Sequence, residues 1–177
     1  FVSGNCSAGS NPFMDVSVCI VNLNAKRHLA SCLNLLPESL GSCSYEVIIV
    51  DNHSQDGSQE FIQQEYPGFH LLINHRNEGY TQAINSAIRV SRGDYLAVLN
   101  PDSEPGPNSI FTLIEFLKMN ENIGIVGPKV IASDGSFQRS CRRGVARPAA
   151  VFSYFLGLAK RYPNDQRFTG YHLNHLD

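Results

Sequence analysis

The sequence has no surplus of basic charge: 14 Lys and Arg stand against 16 Asp and Glu, a net charge of -2 at neutral pH. It therefore lacks the clustered positive face that a nucleic-acid partner requires. No apolar run approaches the ~20 residues that cross a bilayer. Five cysteines, Cys6, Cys19, Cys32, Cys43 and Cys141, form neither a CxxC pair nor a regular framework. Cys19 falls in an apolar run and Cys32 on a helical pattern, so reduced thiols in a cytosolic setting are expected rather than a disulfide scaffold. The six histidines lack metal spacing, apart from His172-Leu173-Asn174-His175, which needs two further ligands. Ser31, Ser54 and Cys141 have no base placed nearby in the sequence, and a hydrolase triad is unsupported.

The composition that remains is that of an ordinary globular protein. The 177 residues, 42% hydrophobic and 17% charged, suit one domain with a core that needs no staple. Residues 1–13 are rich in Ser, Gly and Asn and lack the basic start and apolar segment of a secretory signal. They are expected to be a disordered leader or cloning scar, with the folded domain over 14–177.

From residue 16 onward, the hydrophobic period switches repeatedly between two and three to four. Residues 16–21 read as a strand. Residues 25–36 read as a helix, with Asn24 as N-cap and Pro37 as stop. Strand 46–50, loop 51–57 and helix 58–66 follow, then strand 69–73, helix 81–91 and strand 95–99. Ala83, Ile84, Ala87, Ile88 and Val90 are expected to face inward. Residues 107–120 form a further helix with a broad apolar face, and 123–126 and 129–131 are strand-like. A turn at 133–136 and an apolar helix at 149–158 come next. Strands alternating with helices at this spacing predict an α/β fold with a mostly parallel sheet and ligands at the carboxyl ends of its strands.

Four loops meet at those ends: 22–24, 51–54, 74–79 and 100–103. Asp51 directly follows Val47-Ile48-Ile49-Val50. It can accept the imide N–H of a pyrimidine base or bind a ribose hydroxyl; it can equally cap an Asx-turn. In Asn100-Pro101-Asp102-Ser103, the Asp102 carboxylate suits a hard divalent cation that also takes diphosphate oxygens, and the same four residues suit a plain β-turn. The segment 74–80, with Gly79, can offer backbone N–H groups to a phosphate or base, or simply start a helix. Arg139, Arg142 and Arg143 form a small basic cluster that suits a diphosphate, an acidic acceptor or solvent.

The ordered series Val16-Ser17-Val18-Cys19-Ile20-Val21-Asn22-Leu23-Asn24, 46–58 (EVIIVDNHSQDGS), Asn77-Glu78-Gly79-Tyr80, Gly93-Asp94-Tyr95 and Leu99-Asn100-Pro101-Asp102-Ser103 resembles family 2 glycosyltransferases of GT-A fold. Its NPDS form, with Val126-Gly127-Pro128-Lys129 and 134–143 (DGSFQRSCRR), is similar to the rhamnosyltransferase-like branch. The resemblance implies a Rossmann-like three-layer sandwich, truncated at its carboxyl end. It also implies inverting transfer of a sugar, rhamnose in that branch, from a dTDP-, UDP- or GDP-linked donor to a glycan or lipid-linked acceptor, with Mg²⁺ or Mn²⁺. Matched position by position, Asn22 and Asp51 are nucleoside contacts and Asp102 is the metal carboxylate. Asn24, Asn77, Gly79, Asn85 and Asn100 complete the nucleotide-binding set. Asn100 stands where many relatives have an aspartate, and Ile84-Asn85 departs from their Arg-Asn.

Relatives continue into an acceptor-binding half whose carboxylate is the general base. Glu104, Glu115 and Asp134 do not match its place, so the isolated chain is expected to bind donor without a catalytic base. A cytoplasmic location, or a peripheral one at the inner face of a membrane, is expected, with homo-oligomerisation left open. Two alternatives are a noncatalytic nucleotide-binding or assembly module, and a nucleotidyltransferase. The latter calls for a Gly-rich basic loop after the first strand, which Asn22-Leu23-Asn24-Ala25 is not.

Overall fold

The computed structural model describes residues 2–4, 14–132, 134–136, 138, 141, 148–162, 165 and 168. The chain divides into two compact units, Phe1–Pro128 and Lys129–Asp177.

The first unit is built on two strands buried on both faces. β2 (Val16–Asn22) is buried throughout, and β3 (Tyr45–Asp51) is buried after its first residue. Such continuously buried, mainly apolar strands belong in the middle of a parallel sheet covered on both sides. β2 pairs in parallel with β3 and with β5 (Tyr95–Leu99), and β3 pairs in parallel with β4 (His70–Ile73). β1 (Val2–Gly4) lies antiparallel between β5 and β6 (Ile125–Val126), giving the order β4-β3-β2-β5-β1-β6. Residues 2–4 thus take part in the sheet and are not a disordered leader; the rest of 1–13 lies outside the described residues.

Helices cover both faces. α1 (Lys26–Leu40), α2 (Ser58–Glu65) and α4 (Ser109–Met119) pack Leu29, Leu33, Leu36, Ile62, Ile110 and Ile114 against Val18, Ile20, Val47 and Ile49. α3 (Tyr80–Val90) closes the other face with Ala83, Ile84 and Ala87 against Cys19, Val21, Ile48 and Val50. Three layers result, as expected. Ile88 and Val90, expected inward, are 36% and 46% exposed, and the buried stripe of α3 is confined to Ala83, Ile84 and Ala87. Phe116 is also largely exposed, so the buried stripe of α4 is narrower than its composition suggests. Cys19, Cys32 and Cys43 are buried free thiols. Burial and the charge of Glu46 push the Cys19 thiol up to about 12.

Two expectations about α1 fail for physical reasons. Pro37 does not stop it. Stopping there would give up the burial of Leu40, 0% exposed and worth about 1.5–3 kcal/mol. It would also give up the 2.9 Å bond from the Asn108 N–H to the Glu38 carbonyl, and together these offset an interior proline's cost of about 3 kcal/mol. Asn24 does not cap it either: its Oδ1 accepts the Gln55 N–H at 2.7 Å. The cap comes from Asp56, whose Oδ2 accepts the Lys26 N–H at 2.8 Å while its Oδ1 accepts the Ser58 N–H at 3.1 Å. One carboxylate therefore serves the first turns of both α1 and α2, where anions are favoured. Burial opposes ionisation of Asp56, but the Ser58 hydroxyl and the Lys26 N–H hold its carboxyl below the ordinary range.

At the amino ends of the strands, Glu46 is 7% exposed and fully paired. The Ser17 hydroxyl donates to Oε1 at 2.7 Å, the Arg92 N–H donates to the same oxygen at 2.6 Å, and the Arg92 guanidinium reaches Oε2 at 3.2 Å. Ser17 Oγ also accepts the Gly93 N–H at 2.8 Å. A Cβ on Gly93 would lie 2.5 Å from Ser17 N and 2.6 Å from Val16 C, both rigid backbone, so the Gly93-Asp94-Tyr95 motif has a steric cause.

In the second unit, α5 (Pro148–Phe155) is followed by α6 (Leu158–Arg161), and Tyr162 packs on Phe168 with ring centroids 5.4 Å apart. The turn expected at 133–136 is present: Gly135 has φ 81° and the Ala132 N–H bonds the Ser136 carbonyl at 2.8 Å. Arg139, Arg142, Arg143, His172 and His175 lie outside the described residues. Among the described residues, no helix is long and apolar enough to cross a membrane.

Gly93→Ala should cost about 1–3 kcal/mol by urea unfolding, whereas Gly68→Ala, whose Cβ meets nothing within 4 Å, should be near neutral. Burial raises the Glu46 pKa, but its Ser17 and Arg92 partners outweigh this and hold it below its ordinary 4.5. A carboxyl lowered in the folded state contributes stability above its unfolded value and loses it as the pH falls through the folded value. The melting temperature should therefore drop as the pH falls below 4.5. Glu46→Gln should lower it at neutral pH, by about 2 kcal/mol of stability, and flatten that acid limb.

Candidate functional site

The polar residues at the carboxyl ends of β2, β3 and β4 form two joined networks. In the first, Asn22 Nδ2 donates to Asp51 Oδ2 at 2.9 Å and to Ser54 Oγ at 3.1 Å. Asp51 Oδ1 accepts the Ser54 N–H at 2.9 Å and Gln59 Nε2 at 2.7 Å. Ser54 Oγ also accepts the Asn24 N–H at 2.9 Å, so the loop after β2 is tied to the loop after β3. In the second, Asn52 Oδ1 accepts Asn74 Nδ2 and the Glu78 N–H, both at 3.0 Å, and Asn52 Nδ2 donates to Asn77 Oδ1 at 2.8 Å. The backbone joins the two: the Asn52 N–H bonds the Asn22 carbonyl at 2.8 Å and the Asn74 N–H bonds the Asp51 carbonyl at 2.9 Å.

A cleft of about 560 Å³ opens beside these networks, lined by Ser54, Gln59, Ile73, Asn74 and the imidazoles of His53 and His75. Its size suits a small ligand. His53 holds φ at 76°, a left-handed backbone uncommon outside glycine.

The structure brings Asn22, Asn24, Asp51 and Asn77 together, but not as open contacts. Asn22 and Asp51 are each 0% exposed, so Asp51 is not the open rim carboxylate that its place after β3 suggests. Loop residues Ser54 and Asn24 and the helical Gln59 fold over it. Three backbone N–H groups of the 74–80 segment are already engaged, Asn74 by the Asp51 carbonyl, Glu78 by Asn52 and Gly79 by the Asn77 side chain at 2.9 Å. Gly79 has φ 81°, and a Cβ there would meet nothing within 4 Å, so backbone conformation rather than crowding asks for glycine. Asn85 is exposed on α3 and joins neither network.

Asn100 and Asp102 are exposed on the turn after β5, which the Ser103 N–H closes onto the Asn100 carbonyl at 3.1 Å. Burial, with the Asp102 charge, pushes the Cys32 thiol up to about 11, and Cys32 Sγ lies 3.9 Å from the Asn100 carbonyl, which places this turn beside α1. Among the described residues no three His, Cys, Asp or Glu form a group that could hold a metal by themselves. A single exposed carboxylate fits a cation whose remaining ligands are diphosphate oxygens and water, which is the usual habit of Mg²⁺.

Asn52, Ser54, Gln59 and Asn74 carry these networks, yet sequence reasoning named none of them as a binding residue. Asn52 and Ser54 stood within the loop after β3, where a strand-end carboxylate calls for partners. Gln59 lies on a helix and gives no such signal.

The family described as Glycosyl transferase family 2 matches residues 17–173. The glycosyltransferase AglE of Haloferax volcanii is 36% identical over 94 residues, 51% of this chain and 31% of its own. The N-acetylglucosaminyl-diphospho-decaprenol L-rhamnosyltransferase of Mycobacterium tuberculosis is 32% identical over 108 residues, 55% of this chain and 35% of its own. This chain thus spans about a third of the length of these relatives. Among solved structures, S. aureus TarS 1–349 in complex with UDP superposes with a TM-score of 0.53 at 16% identity, over 70% of this chain and 43% of that one. The mannosyltransferase PcManGT from Pyrobaculum calidifontis, in complex with GDP-Man and Mn²⁺, gives 0.50 at 19%, over 84% and 40%. These likenesses establish the GT-A fold. The family match, which runs through both the strand-end loops and the residues beyond them, makes this chain a member of glycosyl transferase family 2.

Proposed function

We propose that this chain holds the nucleotide-sugar donor of an inverting glycosyltransferase, with rhamnose as the sugar that the branch resemblance favours and a glycan or lipid-linked acceptor. The observation that carries the reading is the buried Asn22–Asp51–Ser54 network beside the cleft at the carboxyl ends of β2 and β3. A parallel α/β sheet binds its ligands there, and a carboxylate fixed by neighbours is prepared to accept a base N–H or a ribose hydroxyl. Asp102, on the neighbouring turn, would hold a divalent cation together with the diphosphate. When bound, that cation neutralises the charge developing on the departing nucleoside diphosphate as the acceptor oxygen displaces it from the anomeric carbon.

The chain's own residues bind and orient. Asn22 and Ser54 fix the Asp51 carboxylate, and the Asn52–Asn74–Asn77 chain fixes the loop that enters α3. Glu115 is paired with Lys118 at 3.1 Å on α4, and Asp134 Oδ1 accepts the Ser136 N–H at 2.9 Å. Neither matches the place of the family's general base, and glycosyl transfer is not expected from these 177 residues alone.

Millimolar UDP, dTDP or GDP with Mn²⁺ should raise the melting temperature, since a ligand at 100 times its Kd stabilises by about 2.7 kcal/mol. Asp51→Ala should remove the shift, and Asp102→Ala should remove only its Mn²⁺-dependent part. The absence of any shift with all three nucleotides would overturn the reading.

A further inference from the structure

In the free protein Asp51 is fully covered, and one of the groups covering it is a cleft side chain. Ser54 reaches Oδ1 through its backbone N–H, and Asn22 reaches Oδ2 from a side chain 0% exposed. Gln59 differs from both. It is half-buried in the first turn of α2, lines the cleft, and places Nε2 2.7 Å from Asp51 Oδ1. A carboxylate only accepts, so the Gln59 amide is held with its N–H group on Asp51. A buried carboxylate stripped of a donor is costly, and Gln59 supplies that donor when the cleft holds no ligand.

We propose that Gln59 is a stand-in for the donor's nucleobase, and that it competes for Asp51 with those bases that carry a ring N–H. Its amide N–H occupies the place on Asp51 Oδ1 that a base N–H takes, so binding exchanges one donor for another. The proposal rests on the reading of Asp51 as the nucleoside contact. Uracil and thymine at N3, and guanine at N1, carry a ring N–H that can make the exchange. Cytosine at N3 and adenine at N1 carry a lone pair there, which the carboxylate repels. Gln59 thereby competes only with bases that carry a ring N–H, while Asp51 itself disfavours the others. The side chain is a positioning residue and takes no part in bond breaking.

The test is titration calorimetry of UDP and CDP, with Mn²⁺, on the 177-residue chain and its variants. Gln59→Ala and Gln59→Met, the second keeping the length of the side chain, should each bind UDP about tenfold more tightly because one charge-assisted hydrogen bond no longer competes. CDP affinity should stay unchanged. UDP binding that is unchanged or weaker in both variants overturns the proposal. In the unsubstituted chain, the Gln59 side-chain amide resonances should move toward free-amide positions with UDP and stay put with CDP. Movement with CDP, or none with UDP, overturns the proposal without relying on any variant's folding. If Asp51→Ala abolishes UDP binding while neither Gln59 variant tightens it, this inference fails and the nucleoside reading stands. If the unsubstituted chain binds none of UDP, dTDP and GDP, both fail.

Discussion

The register between β2 and β3 is the constraint on which everything else depends, and two buried carboxylates at opposite ends of β3 enforce it. In that register Ser17 lies opposite Glu46 and Asn22 opposite Asp51. Both pairs are hydrogen-bonded through their side chains, at 2.7 Å and 2.9 Å. Side chains alternate between faces along a strand. The Ser17–Glu46 pair therefore stands on the α3 face and the Asn22–Asp51 pair on the face shared with α1 and α2, as the two core clusters confirm. Sliding β2 by one residue would turn Ser17 and Asn22 onto the wrong faces and leave both carboxylates buried without their partners. The apolar run Val47-Ile48-Ile49-Val50 packs almost equally well on either face, so hydrophobicity sets the depth of the strand and the polar pairs set its position.

The same arrangement explains why one end of the sheet is closed and the other can serve a ligand. At the amino ends, Arg92 and Gly93 are drawn in by Glu46 and Ser17, and the backbones meet too closely for even a methyl group. At the carboxyl ends, asparagines surround the Asp51 carboxylate. Asn74 donates to Asn52 and Asn52 donates to Asn77, so the three form a directed chain that fixes loop geometry without adding charge. The cleft beside them keeps room for a molecule with its own charge, as a diphosphate has.

Much of this was legible in the sequence. The parallel core follows from runs rich in β-branched residues in 16–21 and 46–50, and the meeting of four loops follows from the topology those runs imply. What escaped was anything set by partners distant along the chain. Asn24 looks like an N-cap from its neighbours alone, yet Asp56 caps α1 from thirty residues away. Pro37 looks like a stop until the burial of Leu40 is set against it. Asp51 looks open at the strand end because nothing local reveals that Gln59, eight residues later, returns to it.

Asn22 shows what the site costs. Its Nδ2 serves Asp51 and Ser54, and its Oδ1 is buried with no partner among the described residues. Turning the amide over does not help, since the oxygen would then face the Asp51 carboxylate. An unsatisfied buried carbonyl costs about 1–3 kcal/mol, and the fold retains it. A core designed only for stability would place a smaller or apolar residue at the end of β2. Keeping the asparagine holds the Asp51 carboxylate buried and fixed in one place, which is what the proposed base contact requires.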